Sequence, residues 1–219
     1  MAEPMLTALF GRHPETVANV DDANYGNQTP LTPKGERQAE HLRRWVKENR
    51  IEYIFHGPQD RCKKVFEGYD LGIPLEENPA FLERRRPSHT IGRKNDEVAE
   101  DLAAMVEHYG VGPARWDEEV YFESVDMVEL GLRRILYVHE TLGHRRFFCL
   151  TSGLRARMFA LRAIHGGLDP EYFKQAYDFT GVYNAGIMEL SYGPVFRKPD
   201  QFNWRFEFAS NHYLPEELR

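Results

Sequence analysis

Short apolar runs that alternate with stretches of helical periodicity leave this chain few folds to choose from. Met5–Phe10, Ile51–Phe55, Arg146–Thr151 and Ala185–Tyr192 read as buried strands, and Ile73–Phe81 as a short extended segment leading to Leu82-Glu83. Between them, Thr32-Pro33 opens a helix with a threonine cap and a proline in its first turn, and Ala39, Leu42 and Val46 follow at helical spacing. Gly57-Pro58 opens a second helix carrying Arg61, Val65 and Tyr69, and a further helix is expected over Asp96–His108. The longest helix is predicted from about Ser124 to Leu142, its buried stripe being Val128, Leu132, Ile135, Val138 and Leu142. Helices over Gly153–Ile164 and from Asp169-Pro170 complete the pattern. Such alternation predicts an α/β protein, a three-layer α/β/α sandwich around a mostly parallel central sheet. The 219 residues suffice for one core and are read as one domain, 1–219, with the aromatic segment 194–219 packed on its body.

In a sheet of this kind a ligand is expected beyond the carboxyl ends of the strands. Arg12-His13, the turn before Arg61 and Thr151-Ser152-Gly153 all fall just past a strand end. The chemistry of the first pair points to phosphate. A guanidinium grips non-bridging oxygens through a planar fork, and a neutral imidazole supplies a nitrogen nucleophile. The formal net charge of −6 argues against nucleic acid as a partner, because a phosphate backbone demands a basic face. An anion must therefore be drawn by a local arginine cluster. Each candidate has a plainer reading beside it. Arg12 and His13 can be a surface pair, Arg61 a solvated helix-start residue, and Glu83 part of a charged run with Arg84, Arg85 and Arg86. Ser152 can be a helix cap, Asn19 a turn residue, and His56 a packed strand-end histidine. His165-Gly166-Gly167 reads as a helix stop.

Cys62 and Cys149 lack metal-ligand or redox spacing and are expected to be reduced core thiols. The first residues lack a basic, apolar leader, and no window approaches a membrane span, so the cytoplasm is the expected location.

Taken in order, these motifs resemble the histidine phosphatase superfamily, which includes the cofactor-dependent phosphoglycerate mutases. The Arg-His-Gly-Glu-Thr-x-x-Asn signature is matched by Arg12-His13-Pro14-Glu15-Thr16-Val17-Ala18-Asn19, with proline in place of glycine. Leu31-Thr32-Pro33-Lys34-Gly35-Glu36-Arg37-Gln38-Ala39 is similar to the family's Leu-Thr-x-x-Gly-x-x-Gln-Ala helix start. Gly57-Pro58-Gln59-Asp60-Arg61 resembles its Ser-Pro-x-x-Arg turn, and Pro79–Arg84 the segment holding its acid. Thr151-Ser152-Gly153-Leu154-Arg155-Ala156-Arg157 corresponds to its final His-Gly segment, with Ser152 in place of the second histidine.

The resemblance implies a phosphohistidine mechanism with no metal and no cofactor. His13 would carry the phosphoryl group, Arg12 and Arg61 would neutralise its oxygens, and Glu83 would serve as acid and then base. Arg12, Asn19, Arg61, Ser152, Gly153 and Arg155 are the expected phosphate-binding residues. Ser152 cannot deliver the positive charge of a histidine, and loss of one preorganised donor costs on the order of 10²–10³ in turnover. Arg155 is expected to restore part of that charge, so that Arg155→Ala abolishes phosphate binding and Arg157→Ala does not. Pro14 removes a backbone N–H beside the nucleophile. The expected function is a phosphomonoester hydrolase, attenuated by Ser152, acting on a small phosphorylated metabolite. The alternative is a diverged member without phosphatase activity, either an anion-binding regulatory protein or a repurposed enzyme. The aromatic tail can cover a partner as readily as its own core, which leaves a homodimer open.

Overall fold

A computed structural model describes residues 4–23, 26, 28–83, 93, 94, 97, 118–169, 183–195, 198–210 and 212–219. In chain order the elements are β1 (Leu6–Arg12), α1 (Val17–Val20), α2 (Pro33–Glu48), β2 (Tyr53–His56), α3 (Asp60–Phe66) and β3 (Leu75–Glu77). A 3-10 turn, Pro79–Phe81, follows; then come α4 (Glu118–Leu142), β4 (Arg146–Thr151), α5 (Gly153–His165), β5 (Ile187–Val195) and β6 (Lys198–Ser210). A second 3-10 turn, Glu216–Leu218, lies near the C-terminal end. The helices expected over 96–108 and from 169 onward lie almost wholly outside the described residues. No described helix is long and apolar enough to cross a membrane.

The six strands form one sheet in the order β3-β2-β4-β1-β5-β6. β3, β2, β4 and β1 run parallel, as the helical crossovers require, and β5 and β6 turn antiparallel at one edge. The mostly parallel expectation holds, with one addition. Residues 198–210 form a sixth strand, where an aromatic tail without strand structure was expected. Its Phe202, Trp204, Phe206 and Phe208 recur at every second residue, the period of a strand, and pairing with β5 satisfies its backbone on one side.

Side chains alternate across the sheet with the same period. On one face Ala8, Phe10, Phe147 and Cys149 pack with Val128, Leu132, Ile135 and Val138 of α4 and with Phe159 of α5. On the other, Leu9, Phe148 and Leu150 pack with Ala39, Leu42 and Val46 of α2 and with Cys62 and Val65 of α3. Two layers of helices thus sandwich the sheet. The predicted stripe of α4 is buried except at its end, where Leu142 is 59% exposed because the sheet stops short of the last turn. Cys62 and Cys149 are buried free thiols on opposite faces. Burial pushes the Cys62 thiol up to about 12 and the Cys149 thiol well above its ordinary value.

Two local features set the loop after β1. Thr32 caps α2 by accepting from the Gly35 N–H at 2.9 Å, and its hydroxyl donates to the Glu15 carboxylate at 2.8 Å. Gly35 lets the helix approach that loop. A Cβ there would sit 2.0 Å from the Glu15 carbonyl oxygen, so no side chain fits. One turn on, buried Gln38 accepts from the Glu15 N–H at 2.7 Å and donates to the Leu218 carbonyl at 2.6 Å.

Candidate active site

His13 follows β1 directly, in the middle of the sheet. Register places Arg12 opposite Thr151 of β4, and the His13 N–H donates to the Thr151 carbonyl at 2.9 Å. The imidazole is 5% exposed. Its Nδ1 lies 2.8 Å from the Pro14 carbonyl. A carbonyl only accepts, so Nδ1 carries the proton and Nε2 keeps its lone pair. Burial holds the ring well below its ordinary pKa, and the Arg61 and Arg12 guanidiniums push it lower still. The ring is therefore neutral at neutral pH. Pro14 lacks an N–H, but its carbonyl orients the imidazole.

Arg61 sits in the first turn of α3, 6% exposed. Its Nη1 donates to the Gly26 carbonyl at 2.9 Å and its Nη2 to the Glu83 carboxylate at 2.5 Å. Its buried Nε has no protein acceptor among the described residues. Half-buried Arg12 is lowered to about 10, first by burial; Glu83 pulls it up, while Arg157 and Arg61 push it down. These mutual influences bring Arg12, His13, Arg61 and Glu83 together at the carboxyl ends of β1, β2 and β4. Three guanidiniums, counting Arg157, meet one carboxylate and a neutral imidazole. That surplus of positive charge suits a dianion.

The α5 start meets the same place. Ser152 is buried and caps the helix, its Oγ accepting from the Arg155 N–H at 3.2 Å. Gly153 brings the helix onto Arg12: a Cβ there would lie 3.0 Å from the Arg12 Cδ. The helix N-terminus, with its partial positive charge, thus abuts the first guanidinium and its ligand space.

Two expectations are corrected. Arg155 is turned away into the core, 2% exposed, where Nε donates to the Leu82 carbonyl at 2.8 Å and Nη1 to the Ser124 carbonyl at 2.7 Å. It anchors the segment that carries Glu83. Arg157 lies one turn beyond Gly153 on the same helix face, near enough to Arg12 for its charge to act there. Asn19 is exposed, and its Oδ1 accepts from the Thr16 N–H at 3.0 Å and the Thr16 hydroxyl at 2.9 Å. It ties the signature loop to itself. His56, at the end of β2, bonds the Gly57 carbonyl through Nδ1 at 2.9 Å; the charges acting on it are Glu77 and Lys63, not the arginines.

Local periodicity carries no signal that separates the two arginines, since Met158 and Phe159 lie three and four residues beyond Arg155, and Ala160 and Leu161 lie the same distances beyond Arg157. Among the described residues no cluster of three histidine, cysteine or acidic side chains could hold a metal ion.

Comparison with known proteins agrees with this fold. No curated protein matches the chain in sequence. Solved structures that resemble it include YhfR of Bacillus stearothermophilus, 17% identical, covering 95% of this chain and 100% of that one with a TM-score of 0.68. A mycobacterial glucosyl-3-phosphoglycerate phosphatase in complex with VO3 is 15% identical, with 93% and 98% of the two chains covered and a TM-score of 0.67. A mutant phosphoserine phosphatase from Entamoeba histolytica in complex with phosphoserine is 17% identical, with 93% and 96% covered and a TM-score of 0.63. At these identities the likeness speaks for the fold. The model of the histidine phosphatase superfamily, branch 1, matches residues 8–204, a span that runs from β1 into β6 and takes in every residue of the cluster around His13. The chain is a member of that superfamily.

Proposed function

We propose that this protein hydrolyses a phosphomonoester of a small molecule through a phosphohistidine formed on His13. The observation that carries the reading is a buried, neutral imidazole beside the Arg12 and Arg61 guanidiniums, with Glu83 as the carboxylate paired with Arg61 and Arg157 adding its charge next to Arg12. His13 Nε2 attacks phosphorus and the P–O bond to the leaving group breaks. Glu83, which takes up a proton as the phosphate dianion binds beside it, gives that proton to the departing oxygen, and the phosphoryl group stays on nitrogen. In the second step Glu83 takes a proton from water, the water oxygen bonds phosphorus, and the P–N bond breaks. Arg12, the Nε–H of Arg61, Arg157 and the α5 N-terminus stabilise the charge on the transferring oxygens. That two structural relatives are a glucosyl-3-phosphoglycerate phosphatase and a phosphoserine phosphatase supports a small phosphorylated metabolite as substrate class.

One observation favours a second reading. Ser152 is spent on capping α5, so the place aligned with a second histidine offers no cation. A member that binds its anion without turning it over is the outcome this predicts. Turnover of an aryl phosphate by the wild type, His13→Ala and Ser152→His separates the two. Hydrolysis that disappears in His13→Ala and rises in Ser152→His supports the phosphatase. Vanadate binding to the wild type with no turnover in any of the three supports the binding protein.

A further inference from the structure

The Arg61–Glu83 pair is held by a third side chain that the motifs do not single out. Gln59 stands two residues before Arg61, at the cap of α3, and is fully buried. With its amide oxygen toward the pair, it accepts from the Arg61 Nη2 at 3.2 Å and from the Glu83 N–H at 2.8 Å. The opposite orientation would set the amide N–H groups against two donors. A buried carboxamide that bonds both the guanidinium and the backbone of the paired acid fixes the separation of the two groups.

Gly57 makes that arrangement sterically possible. A Cβ at 57 would fall 2.7 Å from the Gln59 side-chain amide and 2.5 Å from the Phe81 carbonyl oxygen. That carbonyl is itself held by the Thr151 hydroxyl at 2.6 Å, and Arg155 holds the next one, Leu82. Residues 81, 82 and 83 are thus each pinned by one buried polar group, from Thr151, Arg155 and Gln59 respectively.

We infer that Gln59 is a positioning residue for the acid–base step, acting through Glu83 and Arg61, and that position 57 is glycine to admit its amide beside the Phe81 carbonyl. The inference rests on the roles proposed above for Glu83 and Arg61. Without the amide oxygen, the Glu83 backbone loses its anchor and the carboxylate wanders relative to the leaving oxygen, while Arg12 loses no bond to Gln59 and Arg61 keeps its bond to the Gly26 carbonyl. Turnover should therefore suffer more than substrate binding.

The test compares Gln59→Leu, Gln59→Glu and Gly57→Ala in the full chain, using an aryl phosphate across pH and thermal unfolding. In Gln59→Leu, kcat should fall about tenfold or more while KM changes by less than about threefold. Gln59→Glu keeps an acceptor for both donors and should recover part of that loss. Gly57→Ala, which displaces the amide from the other side, should copy Gln59→Leu. Losses of melting temperature with kcat and its pH profile unchanged would overturn the inference, leaving Gln59 as packing alone. A wild type that does not turn over would defeat the phosphatase reading instead, and hydrogen exchange of the Glu83 backbone N–H followed by 15N NMR then decides. Losing its buried acceptor in Gln59→Leu should speed that exchange about tenfold or more. Unchanged exchange would overturn the positioning role.

Discussion

Proton placement on His13 fixes how the protein should respond to acid. Folded His13 binds its proton far less readily than an exposed imidazole, because burial and two guanidiniums oppose the charge. The neutral nucleophile therefore survives as pH falls, and the acidic limb of kcat/KM should lie well below the ordinary histidine pKa of about 6.5. The sign for stability is opposite. The unfolded chain takes up a proton that the folded one refuses, so this residue's contribution is intact above that pKa and declines as pH drops beneath it. A pH–rate profile beside acid unfolding of the wild type and His13→Ala checks both; an acidic limb at or above that pKa would contradict the neutral ring. A second prediction concerns the two arginines of α5. Arg155→Ala leaves the Leu82 and Ser124 carbonyls without their donors and should cost stability of about 3 kcal/mol. Arg157→Ala should leave the melting temperature close to wild type and weaken vanadate binding about tenfold or more. Vanadate titration with thermal unfolding tests the pair, and the reverse ranking for vanadate would return Arg155 to the site. Sequence showed that an arginine follows Ser152 but could not fix which one faces the anion, because residues two apart on a helix point to different sides.

The signature loop owes its shape to the start of α2, an element far simpler to read than the site it supports. Thr32 as cap and Pro33 in the first turn were legible from sequence, and both stand there. The sequence also contained Gly35 and Gln38, but the physical need for them lies in a tertiary approach that no local pattern encodes. Gly35 lets the helix meet the Glu15 carbonyl, and Gln38 receives the Glu15 N–H. Gly35→Ala should therefore be felt twice. A methyl group 2.0 Å from a carbonyl oxygen must push loop and helix apart, an overpacking cost of about 1–3 kcal/mol. The shift also reaches His13 through Pro14, so turnover should fall by more than the stability loss explains. Assays well below the melting temperature, where both proteins are folded, separate the two effects. Equal kcat for Gly35→Ala and wild type would show that the loop holds its geometry without α2. At the other edge, β6 escaped notice although Phe202, Trp204, Phe206 and Phe208 alternate over its length. Pro194 and Pro199 read as loop punctuation, but Pro199 lies on the edge strand β6 and Pro194 on β5 beyond its last pair with β1, so at each one side has no ladder to lose.

Across the whole molecule, the segment after β6 reaches back to the nucleophile. Leu214 and Leu218 pack with Ala185, just before β5, and Tyr213 lies against Trp45 of α2 with ring centroids 5.5 Å apart. Ala185 has a φ of 56°, a left-handed conformation that costs a non-glycine residue roughly 1 kcal/mol. Both of its main-chain polar groups are engaged. Its N–H donates to the His13 carbonyl at 3.2 Å, and its carbonyl accepts from the Tyr213 hydroxyl at 2.5 Å. The Tyr213 hydroxyl is pushed far above its ordinary pKa by burial, so it stays a donor throughout the working range. Strain at 185 is thus sustained from one side by the C-terminal segment and from the other by the residue that would attack phosphorus. Sequence alone placed 194–219 on the body of the protein but could not see this link, because it joins residues remote in the chain through one strained peptide. Tyr213→Phe removes only the hydroxyl and leaves the ring on Trp45. Losing that hydrogen bond should lower stability by about 1–2 kcal/mol. With its carbonyl released, Ala185 can relax toward ordinary φ, and its N–H then leaves the His13 carbonyl. Turnover of an aryl phosphate should fall several-fold at a temperature where both proteins are folded, with KM close to wild type, since no phosphate donor has moved. A variant that melts earlier yet turns over at the wild-type rate would show that His13 is held by β4 alone, through its bond to Thr151.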